Sequence, residues 1–593
     1  MKTSERTSAR VRAIAFYAIL VGCLCSLWVL FLWRTDSLSS RLTGDYARIT
    51  GDVVLLTCPY WFSGRVWRRV GLFLAPAACA VLLVNLWYFN AWGDIIPPWA
   101  VTYTGNVDGN LLRATGALIN PGDIFFVLIS LIPVAAWFIL DRPDWRPSVR
   151  NRWLLVLCSL GVYGLSVGVR IRSIIVFNRI EYALNFSVKD AVDELLEHPK
   201  IVQLASLQRG PVLHAVNIAR DFMAMGYEEN PSSEELKRIE SFLHDIPGYE
   251  ADSAFLANRG KNIVLIIVES LNGELIDKCV GGREVTPVLN RLTREEGCVF
   301  STEVVSQVKY GRSIDGQLLT NTGLLPLDKG VSSVSARASL PFLPSLPRIF
   351  KGYDSYAVMG TKGVVWGERD AALLTGYEQT STLYDFAEKS ETHDVDGAMF
   401  RHAIGILGER VSKGSSRPFI MELISGSMHL PYEDTAAPHI PEFSSVGGLE
   451  GDYYTVTSYF DACLGRFINK LKEMGLYDNT VVFVMSDHEN TFEPRTRDED
   501  PQRTFFGAFN CGRSERIERT TGQVNIYPAI LEIMGMECNP YYHGLGASML
   551  SGNVDSAYTP YGKEYGPVSE REKEAYTVAD EIWRYNFFEK TDE

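Results

Sequence analysis

The residues best suited to chemistry in this sequence follow short apolar runs in its C-terminal half. Glu269 and Ser270 follow the run NIVLIIV, and Asp487 and His488 follow VVFVMS. Two carboxylates and one imidazole suit a divalent metal ion such as Zn²⁺ or Mn²⁺. A hydroxyl oxygen would complete a four-ligand site, and Ser313 in QVKYGRSIDGQ is the obvious source. A metal ion bound there would lower the pKa of the hydroxyl and make it a nucleophile.

Each of these residues, taken alone, also has an ordinary structural explanation. A carboxylate at a strand end is commonly a helix N-cap, and a lone histidine in a loop is usually just solvated. Ser313 follows a glycine and opens IDGQLLTNTGLL, which predicts a helix that the serine caps. A helix N-terminus also favours negative charge, so it would stabilise an alkoxide or a phosphoserine at this position. We therefore expect Ser313 both to cap a helix and to act as a nucleophile.

The elements that must position these residues are the strands of one sheet. The runs NIVLIIVES, SYAVMG, PFIMELISGS and NTVVFVMSDH are rich in valine and isoleucine without polar alternation, as buried parallel strands are. Amphipathic stretches lie between them, such as TVTSYFDACLGRFINKLKEM, which Gly475 ends. The sequence thus predicts an α/β domain with a central, mostly parallel sheet. Ligands bind such sheets at the carboxyl ends of the strands.

Further polar residues fall at the same predicted edge. The run SYAVMG leads to Trp366 and Arg369, and FIMELISGS leads to His429. Arginine and histidine side chains there would neutralise the oxygens of a phosphate or sulfate ester. Metal-assisted group transfer is therefore the chemistry that this combination favours.

Long apolar runs crowd the first 170 or so residues of the chain. Four of them, at about 12–33, 70–92, 122–140 and 152–169, are long enough to cross a bilayer, which needs about 20 apolar residues. A fifth run, at about 44–63, is weaker because its first half is polar. The basic clusters within 2–12, 65–69 and 142–152 all face the cytoplasm only if the chain crosses five times. We therefore predict a five-span α-helical transmembrane bundle, with everything after about residue 170 outside.

The predicted organisation has four parts. They are a transmembrane region (1–169), a helical juxtamembrane linker (170–258), the catalytic α/β domain (259–560) and a C-terminal helical tail (561–593). The net charge of -14 argues against a nucleic-acid partner, because neutralising phosphates needs clustered lysine and arginine. The ten cysteines form no CxxC pair and no Cys/His cluster, so a structural zinc site has little support.

Taken together, the motifs resemble those of a known family. Glu-Ser after the first strand, EVTPVLNRL, GRSIDGQLLTNTGLLPL, W-x-x-R-D, a histidine before a proline, and SDH follow one another along the chain. This order is similar to that of the lipoteichoic acid synthase and phosphoglycerol transferase family of the sulfatase (alkaline phosphatase) superfamily. The resemblance covers essentially the whole chain. It implies five transmembrane helices, an extracytoplasmic sulfatase-like domain, and a multi-pass protein of the inner or plasma membrane.

The resemblance also implies a role for each matching residue. The implied metal ligands are Glu269, Ser313, Asp487 and His488, holding one Mn²⁺ or Zn²⁺ ion, and the implied substrate-binding residues are Trp366, Arg369 and His429. Ser313 would also be the covalent nucleophile.

Two features depart from the family pattern. The polyglycerolphosphate synthases typically carry threonine preceded by lysine where this chain has Ser313 preceded by Arg312. Either hydroxyl can form the alkoxide, so the mechanism survives the change, whereas the identity of the substrate becomes more open. Trp366 and Arg369 are also separated by one residue more than the family pattern leads us to expect.

These roles predict a membrane-anchored, metal-dependent transferase. Its donor would be phosphatidylglycerol or phosphatidylethanolamine, and its acceptor a glycan or lipid of the cell envelope. One alternative keeps the site but uses water as acceptor, which gives a phosphodiesterase or a sulfuric ester hydrolase. A second alternative is an inactive envelope sensor or scaffold. Formylglycine chemistry is not expected, because it needs a C/S-x-P-x-R setting and Ser313 is followed by Ile314, Asp315 and Gly316.

Overall fold

A computed structural model gives the fold of the chain. It describes residues 3–35, 42–61, 65–92, 95–96, 116, 119–140, 145, 147–181, 188, 231–250, 252–387, 394–432, 436–490 and 503–591. The chain divides near residue 226 into two compact units, a helical one and an α/β one.

The N-terminal unit is built of α-helices. They lie at Thr3–Arg34, Leu42–Thr57, Arg65–Trp92, Ile124–Ile139 and Val149–Glu181. Four stretches of the described residues are long and apolar enough to cross a membrane, namely Thr7–Arg34, Leu72–Asn90, Pro121–Ile139 and Val149–Ser173. Each of the four overlaps one of the predicted spans. The remaining predicted span, at about 44–63, overlaps the helix Leu42–Thr57, whose 16 residues reach only about 24 Å.

The short helix Leu42–Thr57 packs on the helix Val149–Glu181 through polar groups. Arg48 Nη2 donates a hydrogen bond to Tyr163 Oη at 2.9 Å, and Arg48 Nε lies 3.5 Å from Asp52 Oδ1. Both charged side chains are buried. A Cβ atom on Gly51 would lie 2.0 Å from Ser166 Oγ, so the glycine permits the close approach of the two helices. These contacts explain how a helix with a polar first half packs inside an apolar bundle.

The α/β unit is organised around one nine-stranded sheet. Its strands are β1 (Asn262–Val268), β2 (Val299–Val305), β3 (Asp354–Met359), β4 (Gln379–Thr382), β5 (Phe419–Ile424), β6 (Thr480–Ser486), β7 (Thr504–Phe509), β8 (Glu515–Ile517) and β9 (Thr521–Gly522). Their order across the sheet is β8-β2-β7-β6-β1-β5-β3-β4, and β9 pairs with β2. Every pairing is parallel except the two that β7 makes with β2 and β6. The sheet is therefore mixed, and the four strands predicted from the sequence form its centre.

Helices accompany the sheet along the chain. They lie at Ser233–His244, Ser253–Leu256, Pro287–Leu292, Ser313–Thr322, Ser332–Ser335, Leu346–Ile349, Glu368–Leu374, Leu383–Phe386, Val395–Ser412, Pro441–Ser444, Gly448–Glu473, Ile526–Ile533, Glu570–Tyr585 and Phe587–Thr591. The helix Gly448–Glu473 shares the main hydrophobic core with β1, β5 and β6. Gly475 ends it as predicted, with φ 68° and an N–H that donates to Lys472 O at 3.0 Å.

The helix Ser233–His244, at the start of the α/β unit, contacts the helix Glu570–Tyr585 near its end. Glu235 accepts a hydrogen bond from Tyr585 Oη at 2.8 Å, and Arg238 forms an ion pair with Glu581. Trp583 is buried on the same C-terminal helix. The sequence predicted this closing helix. It also predicted linker helices in VKDAVDELLEH and GPVLHAVNIARDFMAMGY, which lie outside the described residues apart from Val188.

Candidate metal and nucleophile site

Strand pairing places the candidate ligands at one edge of the sheet. β1 and β6 are parallel neighbours, in register from Asn262 with Thr480 to Val268 with Ser486. Their carboxyl ends are therefore level, and the residues that follow each strand meet. Ser270 N donates to Asp487 Oδ1 at 2.9 Å, which ties the two strand ends together.

Three of these residues form a potential metal-binding cluster. One ligand atom from each of Glu269, Asp487 and His488 lies within 4.8 Å of the other two. His488 Nε2 is 3.3 Å from Glu269 Oε1 and 3.7 Å from Asp487 Oδ2. All three side chains are buried, so water screens their charges weakly.

Ser313 adds a hydroxyl oxygen to this cluster. Its Oγ donates to Glu269 Oε2 at 3.0 Å and lies 3.2 Å from His488 Nε2. Ser313 is also the first residue of the helix Ser313–Thr322, so the partial positive charge of that helix end acts on its side chain. The prediction that the hydroxyl caps the helix is wrong. The helix has no side-chain cap, because the Ser313 hydroxyl turns towards the Glu269 carboxylate instead.

The ring of His488 is oriented by the next residue. His488 Nδ1 lies 2.8 Å from the Glu489 carbonyl oxygen and 3.1 Å from Arg312 Nη2. Arg312 Nη2 donates to the same carbonyl at 3.0 Å. With Nδ1 engaged in this way, Nε2 is the nitrogen that faces Glu269 and Ser313. This is the arrangement that a metal-ligating histidine needs.

The charges of the cluster suit a bound cation. Burial and the repulsion of Glu269 raise the pKa of Asp487 to about 7. Burial opposes the charge of Glu269, but His488 and then His429 outweigh it and hold the pKa of Glu269 low. Burial and the positive charge of Arg312 lower the pKa of His488. The two carboxylates outweigh them and raise that pKa above its ordinary value. Two buried carboxylates that compete for positive charge form a donor set that fits the implied divalent ion.

The residues predicted to bind a headgroup lie in two loops. His429 follows β5, is exposed, and its Nδ1 lies 2.6 Å from the Leu430 carbonyl oxygen. Arg369 lies after β3, in the helix Glu368–Leu374, where its Nη1 pairs with Asp385 at 3.3 Å and its Nε donates to Thr380 Oγ1 at 3.3 Å. Within the described residues, Arg369 makes no hydrogen bond or ion pair with the cluster. The structure thus holds Arg369 on Asp385 and Thr380, and the hydrogen-bond partner of His429 is the backbone of Leu430.

The extra residue before Arg369 is absorbed by a tight backbone turn. Trp366 and Gly367 both adopt left-handed conformations, with φ values of 53° and 64°. The Trp366 carbonyl accepts a hydrogen bond from Ser333 Oγ at 2.7 Å, which fixes the turn. The chain after the turn then enters the helix with Glu368 facing inwards.

Glu368 is a residue of the site that sequence reasoning missed. It is buried, its Oε1 accepts from Gln317 Nε2 at 2.8 Å, and its Oε2 accepts from Thr361 Oγ1. Burial raises the pKa of Glu368. Gln317 lies one helical turn after Ser313, so Glu368 connects the helix Ser313–Thr322 to the loop that carries Trp366. An acidic residue in a first helical turn is usually exposed, and nothing in its sequence neighbourhood predicts otherwise.

Gly316 is a second residue that the sequence did not predict, and it sets the spacing between the helix Ser313–Thr322 and β6. A Cβ atom at this position would lie 2.2 Å from the backbone oxygen of Asp487. A backbone atom cannot move aside as the end of a flexible side chain can. The glycine therefore permits the close packing that brings Ser313 to the metal cluster.

Replacing Gly316 by alanine is expected to lower activity about 100-fold, because a shift of about 1 Å in a catalytic group is enough for such a loss. The added methyl group would push the helix away from Asp487 and carry Ser313 with it. Gly408→Ala is the matched control, since a Cβ atom there meets nothing within 4 Å. That variant is expected to keep full activity when both are measured in the same assay. Full activity of Gly316→Ala would contradict the spacing argument.

Comparison with known proteins identifies a matching family model and several similar proteins. Residues 261–536 match the family model described as Sulfatase. Lipoteichoic acid synthase 2 of Bacillus subtilis (strain 168) is 22% identical over 494 residues, which cover 79% of this chain and 72% of the relative. The lipoteichoic acid synthase of Staphylococcus saprophyticus is 28% identical over 319 residues, covering 50% and 48%.

A solved structure shares the fold of most of the chain. The integral membrane protein lipooligosaccharide phosphoethanolamine transferase A of Neisseria meningitidis aligns with a TM-score of 0.50 and 12% identity. The alignment covers 89% of this chain and 96% of that one. The family model covers the residues of the candidate site. Both of the relatives named above are lipoteichoic acid synthases. Part of the α/β unit therefore matches the Sulfatase family model, and the chain is similar to lipoteichoic acid synthases.

Proposed function

We propose that this chain transfers a phosphoglycerol or phosphoethanolamine group from a phospholipid to a glycan or lipid of the cell envelope. The observation that carries the proposal is the meeting of the Ser313 hydroxyl with Glu269, Asp487 and His488 at one sheet edge. A hydroxyl, two carboxylates and an imidazole in contact form a set suited to phosphoryl transfer. An inactive scaffold would have no need to keep all four together in a buried cluster.

The reaction would proceed in two displacements at phosphorus. Ser313 Oγ attacks the headgroup phosphorus, the bond from phosphorus to the diacylglycerol oxygen breaks, and the serine proton ends on the released diacylglycerol. The hydroxyl of the acceptor then attacks the same phosphorus, the bond to Ser313 Oγ breaks, and the proton of the acceptor returns to the serine. Each displacement places the attacking and leaving oxygens in line.

We assign one divalent ion, Mn²⁺ or Zn²⁺, to Glu269, Ser313, Asp487 and His488. Such an ion would supply positive charge that lowers the pKa of the serine hydroxyl and offsets the charge of the phosphate. The chain itself contributes the helix end behind Ser313 and the fixed ring of His488.

We assign the headgroup contacts to Trp366, Arg369 and His429. His429 is exposed and follows β5, the neighbour of β1, which supports its assignment to an incoming phosphate. Arg369 would exchange Asp385 for the phosphate. The side chains of this ion pair are 44% and 40% exposed, so the exchange costs little.

We further propose that the chain crosses the membrane five times, which places the α/β unit on the outer side. The three basic clusters of the N-terminal region then share the cytoplasmic side. The contacts of Arg48 with Asp52 and Tyr163 support the short helix Leu42–Thr57 as the extra span, because they pair two opposite charges inside the bundle.

Mass spectrometry of the peptide that contains Ser313 tests the proposed reaction. The full-length protein is incubated with vesicles of phosphatidylglycerol or of phosphatidylethanolamine, quenched in acid and digested. We expect the peptide to gain the mass of glycerol phosphate or of ethanolamine phosphate, and the gain identifies the donor headgroup. Release of diacylglycerol without any mass gain on this peptide would contradict the covalent route.

A further inference from the structure

Exposed apolar side chains stand directly beside the candidate headgroup residues. Val364 and Val365 are 63% and 36% exposed, and Tyr384 is 61% exposed. We call these three side chains the apolar ridge. Gly363 and Gly367 adopt left-handed conformations on either side of the valines, with φ values of 67° and 64°. The two valines therefore form the tip of a tight, glycine-bounded turn.

The backbone that carries the ridge is firmly held. Leu383 N donates to Thr361 O at 2.8 Å, and Arg369 N donates to Gly363 O at 3.1 Å. A Cβ atom on Gly363 would lie 2.5 Å from Thr382 Cγ2, so the turn packs against the segment that leads to Tyr384. The exposed side chains are thus displayed by an anchored turn rather than by a loose loop.

The chemistry of the ridge matches a membrane surface. Single exposed apolar residues are normal, but neighbouring ones beside a site mark an interaction surface. Aliphatic side chains enter the acyl boundary of a bilayer, and tyrosine prefers the headgroup level. Lys362, directly before the turn, adds a cation that suits lipid phosphates.

Other features of the chain favour a bilayer over a protein as the partner. A stable protein partner covers about 800 Å² of each surface, whereas three side chains at the tip of a turn offer much less. The same chain carries four helices able to cross a membrane, so a lipid surface is permanently within reach of the protein. The ridge also continues directly into Trp366 and Arg369, the residues assigned to a lipid headgroup.

We infer that Val364, Val365 and Tyr384 insert into the surface of a phospholipid bilayer and so present the headgroup of a donor lipid to Trp366 and Arg369. The inference rests on the proposed function, since it gives the ridge a task in reaching the lipid donor. Insertion of the ridge aligns the site with headgroups that remain in the membrane.

The test compares two donors in the full-length protein reconstituted into vesicles. One donor is long-chain phosphatidylglycerol in the vesicle membrane, and the other is short-chain phosphatidylglycerol dissolved as a monomer. The variant V364D/V365D is expected to transfer from the long-chain donor about tenfold more slowly. Its rate with the soluble donor is expected to change less than about twofold, because the site itself is intact.

Two further variants sharpen the comparison. Val411→Asp places the same charge at a valine that is 49% exposed on the helix Val395–Ser412, and it should leave both rates unchanged. V364L/V365L keeps the ridge apolar and should keep the long-chain rate. An unchanged long-chain rate in V364D/V365D, or an equal loss with both donors, would overturn the inference. Failure of the unmodified protein with both donors would instead overturn the proposed function.

Discussion

The variant Ser313→Ala is expected to lose group transfer by at least about 10³-fold, the scale seen when a covalent nucleophile is removed. The Ser313 hydroxyl bonds Glu269 and approaches His488, and it caps no helix. Its removal should therefore leave the helix Ser313–Thr322 intact and act on the chemistry alone. Transfer of radiolabel from phosphatidylglycerol in membranes measures the effect.

Substitutions at Ser313 and at Ser270 distinguish the role of the proposed nucleophile from that of a nearby hydroxyl group. Ser313→Thr keeps a hydroxyl at the same position and is expected to retain activity within about tenfold of the original. Ser270 provides the matched control, because its Oγ bonds the same carboxylate, at 2.9 Å from Glu269 Oε1. Ser270→Ala should retain transfer. Loss of transfer in Ser270→Ala together with full transfer in Ser313→Ala would move the nucleophile to Ser270.

Removal of divalent metal is expected to abolish activity, and added Mn²⁺ or Zn²⁺ to restore it. Without a cation, Glu269 and Asp487 repel each other in a buried site, as the raised pKa of Asp487 reflects after the contribution of burial. The metal should also raise the melting temperature, since saturation at 100 times the Kd contributes about 2.7 kcal/mol of stability. Metal content, thermal unfolding and transfer are measured before and after treatment with a chelator.

Two histidine variants, one inside the cluster and one outside it, provide the control for this experiment. His488→Ala removes one ligand and is expected to lower both the bound metal and the thermal shift. His439→Ala removes an exposed histidine outside the cluster and should change neither. A purified protein that holds no divalent metal at neutral pH and still transfers the headgroup would refute the metal assignment.

The central strands were predictable, whereas the outer ones were not. β1, β3, β5 and β6 are unbroken apolar runs, because parallel strands in the middle of a sheet are buried on both faces. β4 and β8 are short and polar, as edge strands commonly are, and so they carry no hydrophobic signal. The mixed character of the sheet arises at β7, which pairs antiparallel with both neighbours. A strand that the sequence does not predict cannot have its direction predicted.

The same contrast holds at the candidate site. The meeting of Glu269 with Asp487 and His488 follows from strand order alone, since parallel strands end at a common edge. The groups that a long side chain contacts depend on neighbouring segments whose positions cannot be predicted from the sequence. The pairing of Arg369 with Asp385 is such a case. The capping prediction failed for a related reason, because a carboxylate far along the chain competes with the local backbone for the Ser313 hydroxyl.

The place of β1 at the centre of the sheet affects how the chain folds as it is made. Its two partners, β5 and β6, are the strands Phe419–Ile424 and Thr480–Ser486, far downstream. At about 5–20 residues per second, the ribosome needs about 8–30 s to reach the first of them. Throughout that interval the apolar stretch Ile263–Val268 has neither of its partner strands to pair with. An unpaired apolar strand is prone to aggregate. The sheet therefore cannot nucleate from the strand made first, and its folding waits for the strands made late in synthesis.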